Sequence, residues 1–317
     1  MGKIVFNMYP TSGPWGGSST FVSQLKEFLV WRGFETGFRL NPDVDLIVLI
    51  DPRPDLQNKS FGMEDIKKIK QENPEIKILH RINECDQRKA TSFMDNLLAE
   101  ANPIADHTVF ISEWLRDYHA ERWFDVQRPH SVIYNGADPR IFHPIGSSLY
   151  SGSGVFRLVT HHWSNNPMKG FSVYEEVDEL IQSGELTDTE FWIIGQWPKH
   201  ITWKAVKTFS PTHGPNLADK LRACHAYITA SLWEPCGMHH IEGAQCGLPL
   251  IYYEDGGGIV EAGLKYGIGF KDNIKKAVLM MRRDYSQYRE RLLHQMPSGD
   301  RMCLEYTEII QALITTA

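Results

Sequence analysis

Two carboxylates, Glu234 and Glu242, stand eight positions apart across a Pro-x-Gly turn, in the stretch Ser231-Leu-Trp-Glu-Pro-Cys-Gly-Met-His-His-Ile-Glu242. Pro235 and Gly237 keep Glu234 out of regular helix, so it is expected in a loop at the C-terminal end of the strand-like run Ala226–Ser231. Met238 to Gln245 can then open a helix whose first N–H groups lack partners and favour an anion, with Glu242 about one turn in. A loop carboxylate, a helix start suited to phosphate and a second carboxylate beside it fit a sugar nucleotide. On spacing alone, two solvated glutamates flanking a strand–helix connection are the better reading.

Two further junctions carry related chemistry. Lys169-Gly170 puts a cation and a side-chain-free backbone just ahead of a helix, and Gly256-Gly257-Gly258 precedes the helix expected at Ile259. Each alone is ordinary turn chemistry. Together, at strand ends of one parallel sheet, they predict a diphosphate held by helix-start amides and by Lys169.

The elements that must position these groups follow a repeated strand, glycine-bearing loop and helix pattern. Strand runs such as Lys3–Met8, the apolar Val44–Ile50 and Ile76–Ile82 alternate with helical periodicity such as Ser19–Arg32 and Ala90–Asn102. The fold class is therefore α/β, with two Rossmann-like, doubly wound domains expected to face a central cleft. The Gly/Ser-rich run Pro144–Gly154 marks the break. The expected division is an N-terminal domain over 1–145, a linker over 146–154 and a C-terminal domain over 155–300, with a last helix over 301–317 packing back on the first domain.

With 317 residues, 42% of them hydrophobic, the chain can build two cores. The net charge of −6 argues against a nucleic-acid partner held by a general basic field. Five cysteines, scattered and without metal-ligand spacing, fit free thiols in a reducing compartment. No metal site is expected, and no apolar stretch is long enough to span a bilayer. The chain reads as cytoplasmic, with loose membrane association compatible with a lipid-linked substrate.

Across nearly its whole length the chain resembles the retaining GT-B glycosyltransferases, specifically glycosyltransferase family 4 (glycosyl transferases group 1). Val132-Ile-Tyr-Asn-Gly-Ala-Asp-Pro-Arg-Ile-Phe142-His-Pro144 is similar to that family's "IPNGVD…F.P" segment, and Glu234 to Glu242 to its Glu-x7-Glu motif. Gly243-Ala-Gln-Cys-Gly-Leu-Pro-Leu-Ile251, read with Glu242, resembles "EAMACGLPVI", and Gly256–Gly258 with Glu261 resembles "GGxxE". Gly16-Gly17 with the helix to Gly33-Phe-Glu35 is similar to "GG…L…L…RGHEV", and Ala105 to Ser112 to "ADxVIAVS". The resemblance implies that Glu234 contacts the donor sugar and Glu242 the ribose hydroxyls. It further implies that Gly237 and Met238 offer backbone amides, that Gly256 and Gly257 line the donor site, and that Lys169 neutralises the departing diphosphate. Gly16 and Gly17 would approach the phosphates, and His80 would stand beside the donor sugar, with Arg81 and Asn83 as neighbours able to take that part. Relatives carry an arginine ahead of the Lys-Gly pair. Here the segment is His161-His-Trp-Ser-Asn-Asn166, so Asn165 or Asn166, or a protonated His162, is expected to substitute.

The implied activity is transfer of a sugar from a nucleotide-sugar donor to an acceptor hydroxyl on a glycan, a lipid or a small molecule. It proceeds with retention, by a front-face, metal-independent mechanism and without a cofactor. UDP-, GDP- and ADP-sugars stay open at this point. The competing readings are a nucleotide-sugar-binding partner subunit without turnover and an epimerase or phosphorylase on a related fold.

Overall fold

The computed structural model describes residues 2–11, 13 and 17–315. Its elements in chain order begin with β1 (Lys3–Phe6), α1 (Gly17–Trp31), β2 (Glu35–Gly37), β3 (Leu46–Leu49), α2 (Met63–Glu72) and β4 (Lys77–Ile82). These are followed by α3 (Asp86–Lys89), α4 (Met94–Ala101), β5 (His107–Phe110), α5 (Glu113–Ala120) and β6 (His130–Val132). The chain continues with β7 (Phe156–His162), α6 (Phe171–Gln182), β8 (Thr189–Gly195), β9 (Lys207–Phe209), α7 (Gly214–Arg222) and β10 (Ala226–Thr229). It ends with α8 (Met238–Gln245), β11 (Leu250–Tyr253), α9 (Ile259–Tyr266), β12 (Gly267–Phe270), α10 (Ile274–Arg283), α11 (Tyr285–His294) and α12 (Gly299–Thr315). Two compact units result: one runs to Asn135 and takes back the segment from Gly299, and the other is Gly136–Ser298.

In the first unit all six strands are parallel, in the order β2-β1-β3-β4-β5-β6. The alternation of strand side chains sends Ile4, Phe6, Leu46 and Val48 to one face and Val5, Ile47 and Leu49 to the other. Leu25 and Leu29 of α1 with Tyr306 and Ile310 of α12 cover the first face; Ile66 and Ile69 of α2 cover the second. Burial on both faces is what all-parallel sheets require, and it explains why these strands read as continuous apolar runs.

The second unit is also fully parallel, in the order β12-β11-β10-β7-β8-β9. One core joins Phe156, Leu158, Phe191 and Ile228 of the sheet to Phe171, Tyr174 and Val177 of α6 and to Val278 and Met281 of α10. The chain winds outward from β7 in one direction through β8 and β9, then returns to β10 on the other side and winds outward again. The reversal falls between β7 and β10, and in open α/β sheets the crevice beyond the strand ends at such a reversal is where ligands bind.

One sequence expectation is corrected. The helix expected over Ala90–Asn102 begins only at Met94, because Ala90 takes a left-handed conformation (φ 54°) that ends the short α3. Asp86 then accepts hydrogen bonds from the Thr91 hydroxyl and the Met94 N–H while Asp95 accepts from the Asp86 N–H, so two side chains hold the new helix start.

Candidate donor-binding site

The end of β7, the end of β10 and the start of α8 meet at the reversal point of the second unit. After β7 the chain makes a 3-10 turn over Pro167–Lys169, capped by the Asn166 side chain accepting from the Met168 N–H at 2.9 Å. Gly170 follows with φ 72°, and a β-carbon there would overlap the carbonyl of Ala230. Glycine is therefore required both by the backbone angle and by the closeness of β10. The Leu232 N–H donates to the Met168 carbonyl at 2.8 Å, and the Glu234 N–H to the Gly256 carbonyl at 2.9 Å. Three loops are thus tied to one another by backbone alone.

That tie brings Lys169 and Glu234 together. The Lys169 ammonium lies 2.9 Å from Oε2 of Glu234, and each side chain keeps only 9% of its surface exposed. Trp233, just before Glu234, adopts φ 52°, a strained conformation for a non-glycine residue, and strain of this kind gathers at ligand sites. Gly257, with φ 74°, passes the backbone N–H of Glu234 so closely that a β-carbon would stand 3.1 Å from that nitrogen.

Gly237 is the N-cap of α8 and supplies no side-chain cap, so the first N–H groups of the helix, from Met238 onward, have no acceptor within it. A β-carbon on Gly237 would overlap the His239 ring. His239 and His240 are both buried, the first with Nε2 3.2 Å from the Thr229 hydroxyl, the second with Nδ1 unpartnered among the described residues. Burial pushes His240 down to about 4, reinforced by Lys169 and opposed by Glu234, while burial holds His239 well below its usual value. Both are neutral at pH 7. Neither is a cation for a phosphate.

Glu242 lies at the same mouth, one turn into α8, with its Oε2 2.8 Å from Nε2 of His161. His162, considered above as a substitute cation, is 2% exposed, with Nε2 3.0 Å from the Tyr174 hydroxyl and 3.1 Å from Oγ1 of Thr160. It stacks on Tyr174 in the core. Asn165 is exposed in the β7–α6 loop, and Gly256 turns back on the Tyr253 carbonyl.

The remaining candidates belong to the first unit. Gly16 lies outside the described residues, and Gly17 is the first residue of α1. His80 has no exposed surface. Its Nδ1 is 3.1 Å from Nδ2 of Asn102, and burial pushes it down to about 3. As the chain stands, His80 reaches no solvent. Its neighbour Arg81, on the opposite face of β4, donates from Nη2 to Oδ1 of Asn135 at 2.9 Å and lies 4.0 Å over the Phe21 ring. Its Nε and Nη1 have no partner among the described residues. Beside it the Asn83 amide donates to the Ser18 hydroxyl at 2.9 Å, at the amino end of α1.

No family model matches the chain, and no curated protein matches it. Solved structures do. HepE of Anabaena in complex with UDP-glucose superposes with a TM-score of 0.72 at 12% identity, over 98% of this chain and 100% of its own. A sucrose-phosphate synthase of Thermosynechococcus elongatus gives 0.71 at 13% identity, over 100% of both chains. A glycosyltransferase of Rickettsia africae gives 0.70 at 13%, over 99% of both.

The fold is that of the GT-B glycosyltransferases. In this GT-B-like chain, His161, which the motif reading passed over, is the residue that meets Glu242. The sequence signal was a histidine pair in the place where the resemblance expects an arginine.

Proposed function

We propose that the chain transfers a sugar from a nucleotide-sugar donor to an acceptor hydroxyl, with the donor held by the second unit. The observation that carries this reading is the Lys169–Glu234 pair beside the amino end of α8, at the strand-order reversal. A diphosphate there would meet Lys169 and the α8 amides, Glu234 would accept from hydroxyls of the sugar, and Glu242 from those of the ribose. Gly256 and Gly257 allow the third loop to close against Glu234. Structures similar in fold hold UDP and UDP-glucose, which supports a nucleotide sugar as the donor class.

The proposed chemistry is metal-independent, without a cofactor, and retaining. The bond from the anomeric carbon to the diphosphate oxygen breaks, the acceptor oxygen bonds to the same face, and the acceptor proton passes to the departing diphosphate. The residues position the reactants and stabilise charge, roles that in a water-poor site supply much of an enzyme's acceleration. Acceptors in this reading are carbohydrate, lipid-linked or small-molecule hydroxyls.

A second reading, a nucleotide-sugar-binding subunit without turnover, is favoured by one observation: Lys169 is already paired with Glu234, and the segment from His161 to Asn166 offers no arginine to add charge. Thermal-shift titration with UDP, GDP, ADP and their sugars names the donor, since a ligand binding only the folded state raises the midpoint. Sugar transfer or donor hydrolysis by the purified protein then separates the readings. Stabilisation by none of these nucleotides refutes both.

A further inference from the structure

Glu242 is gripped from behind by two buried residues, Tyr227 and His161. The Tyr227 hydroxyl accepts from the backbone N–H of His161 at 2.9 Å and lies 3.1 Å from Nδ1 of the same residue. Tyr227 and His161 have no exposed surface, and burial raises the phenol well above its usual value, so it keeps its proton. A carboxylate oxygen only accepts, so at 2.8 Å Nε2 of His161 carries a proton and donates it to Oε2 of Glu242. The phenol has two candidate acceptors, Nδ1 at 3.1 Å and the His161 carbonyl at 3.4 Å, and the nearer is Nδ1. Oε1 of Glu242 has no hydrogen-bond partner among the described residues, and the side chain keeps 11% of its surface exposed.

The backbone is shaped to permit this contact. A β-carbon on Gly243 would overlap the Tyr227 ring, so glycine at this one place lets α8 approach β10 closely enough for Glu242 to reach His161. The "EAMACGLPVI" pattern has alanine there. Tyr227, His161 and Gly243 therefore act as one device in this chain.

We infer that His161 is a positioning residue: with Tyr227 it locks Glu242 in one orientation, occupying one carboxylate oxygen and leaving the other to accept from the vicinal ribose hydroxyls of the donor. The inference rests on the donor-site reading above. A carboxylate fixed in this way gives up no rotamer freedom on binding, and discriminates sharply against a ligand lacking the hydroxyl.

The test compares UDP, GDP and ADP with their 2′,3′-dideoxy counterparts by calorimetry, on the wild type and on His161→Leu, His161→Gln and Tyr227→Phe. Wild type is expected to bind the ribonucleotide at least about tenfold tighter than its dideoxy form. His161→Leu is expected to lose about tenfold for the ribonucleotide and to leave dideoxynucleotide binding unchanged. His161→Gln, whose amide can donate in place of Nε2, is expected to restore most of the difference. Should His161→Leu not fold, the Gln and Phe variants carry the comparison. Equal weakening of both nucleotides, or of neither, overturns the inference. Wild type binding no nucleotide refutes the donor reading and the ribose assignment with it. The lock itself is read without ligand, by nitrogen-15 NMR of the histidines in the free protein. A proton on Nε2 of His161 is expected, and an imidazole carrying its proton on Nδ1 alone overturns the lock.

Discussion

The Lys169–Glu234 pair gives the sharpest energetic test. The two charges are 2.9 Å apart, with each side chain 9% exposed, so the small values typical of exposed ion pairs do not apply. Breaking a buried pair from one side leaves a charge without its counter-charge and costs about 3–5 kcal/mol. Lys169→Met is therefore expected to lower the unfolding midpoint of the unit that carries it by about 6–20 °C, at about 2–4 °C per kcal/mol for a body of this size. Glu234→Gln should cost a similar amount. The double variant Lys169→Met/Glu234→Gln buries no charge at this place and should cost less than either single variant, so the coupling in the double-mutant cycle should exceed the cost of one single variant, about 3–5 kcal/mol. Urea titrations followed by fluorescence, with the ligand-free protein at one pH, measure all four corners. Donor turnover behaves differently: single and double variants alike should lose it, because stability restored by removing both charges restores no countercharge for a phosphate. Two single variants each costing less than about 1 kcal/mol and adding without coupling would refute the claim that the pair is buried and mutually dependent.

Acidification should destabilise the fold in a defined window. His80 and His240 are buried and neutral, with values pushed down to about 3 and about 4, so between those values and the ordinary 6.5 the unfolded chain binds more protons than the folded one. Stability therefore rises with pH across this window and is lost as pH falls through it. His240→Asn should reduce the slope of stability against pH there by up to about 1.4 kcal/mol per unit, read from urea midpoints between pH 4 and 6.5. Gly170→Ala forces a β-carbon into the Ala230 carbonyl at φ 72° and should cost about 1–3 kcal/mol. It should also weaken nucleotide binding by displacing Lys169, as thermal-shift titration would show. Arg81→Met removes a buried guanidinium that has no carboxylate partner among the described residues. It should leave the chemical-denaturation midpoint unchanged or raise it, and a marked fall would show that Asn135 and Phe21 outweigh the desolvation of the charge.

The strands that faced both cores were legible where burial on both faces makes a run apolar from end to end, as in Leu46–Leu49. The strands that escaped notice lack that mark. Glu35-Thr-Gly37 contains no large apolar side chain and is held by backbone pairing to β1. Gly267-Ile-Gly-Phe270 is half glycine, and a β-carbon on Gly267 would stand 2.5 Å from the Leu250 carbonyl. The helix Tyr285–His294 buries only Tyr285 and Leu292, too few to set a helical rhythm against its polar residues.

Spacing along the chain determined the loop that carries Glu234, the helix start at Met238 and the turn of helix that separates them from Glu242, because these depend on proline, glycine and periodicity within a dozen residues. It also determined that glycines would stand at three strand ends. Only the tertiary structure decided what each charge meets. Lys169 pairs with Glu234 across 65 positions and His161 with Glu242 across 81, and both pairings exist because the strand order reverses between β7 and β10, bringing distant loops together at the ends of the two central strands. Sequence spacing carries no record of strand order. The same glutamates that spacing alone reads as solvated are buried here because two strands far apart in the chain lie side by side.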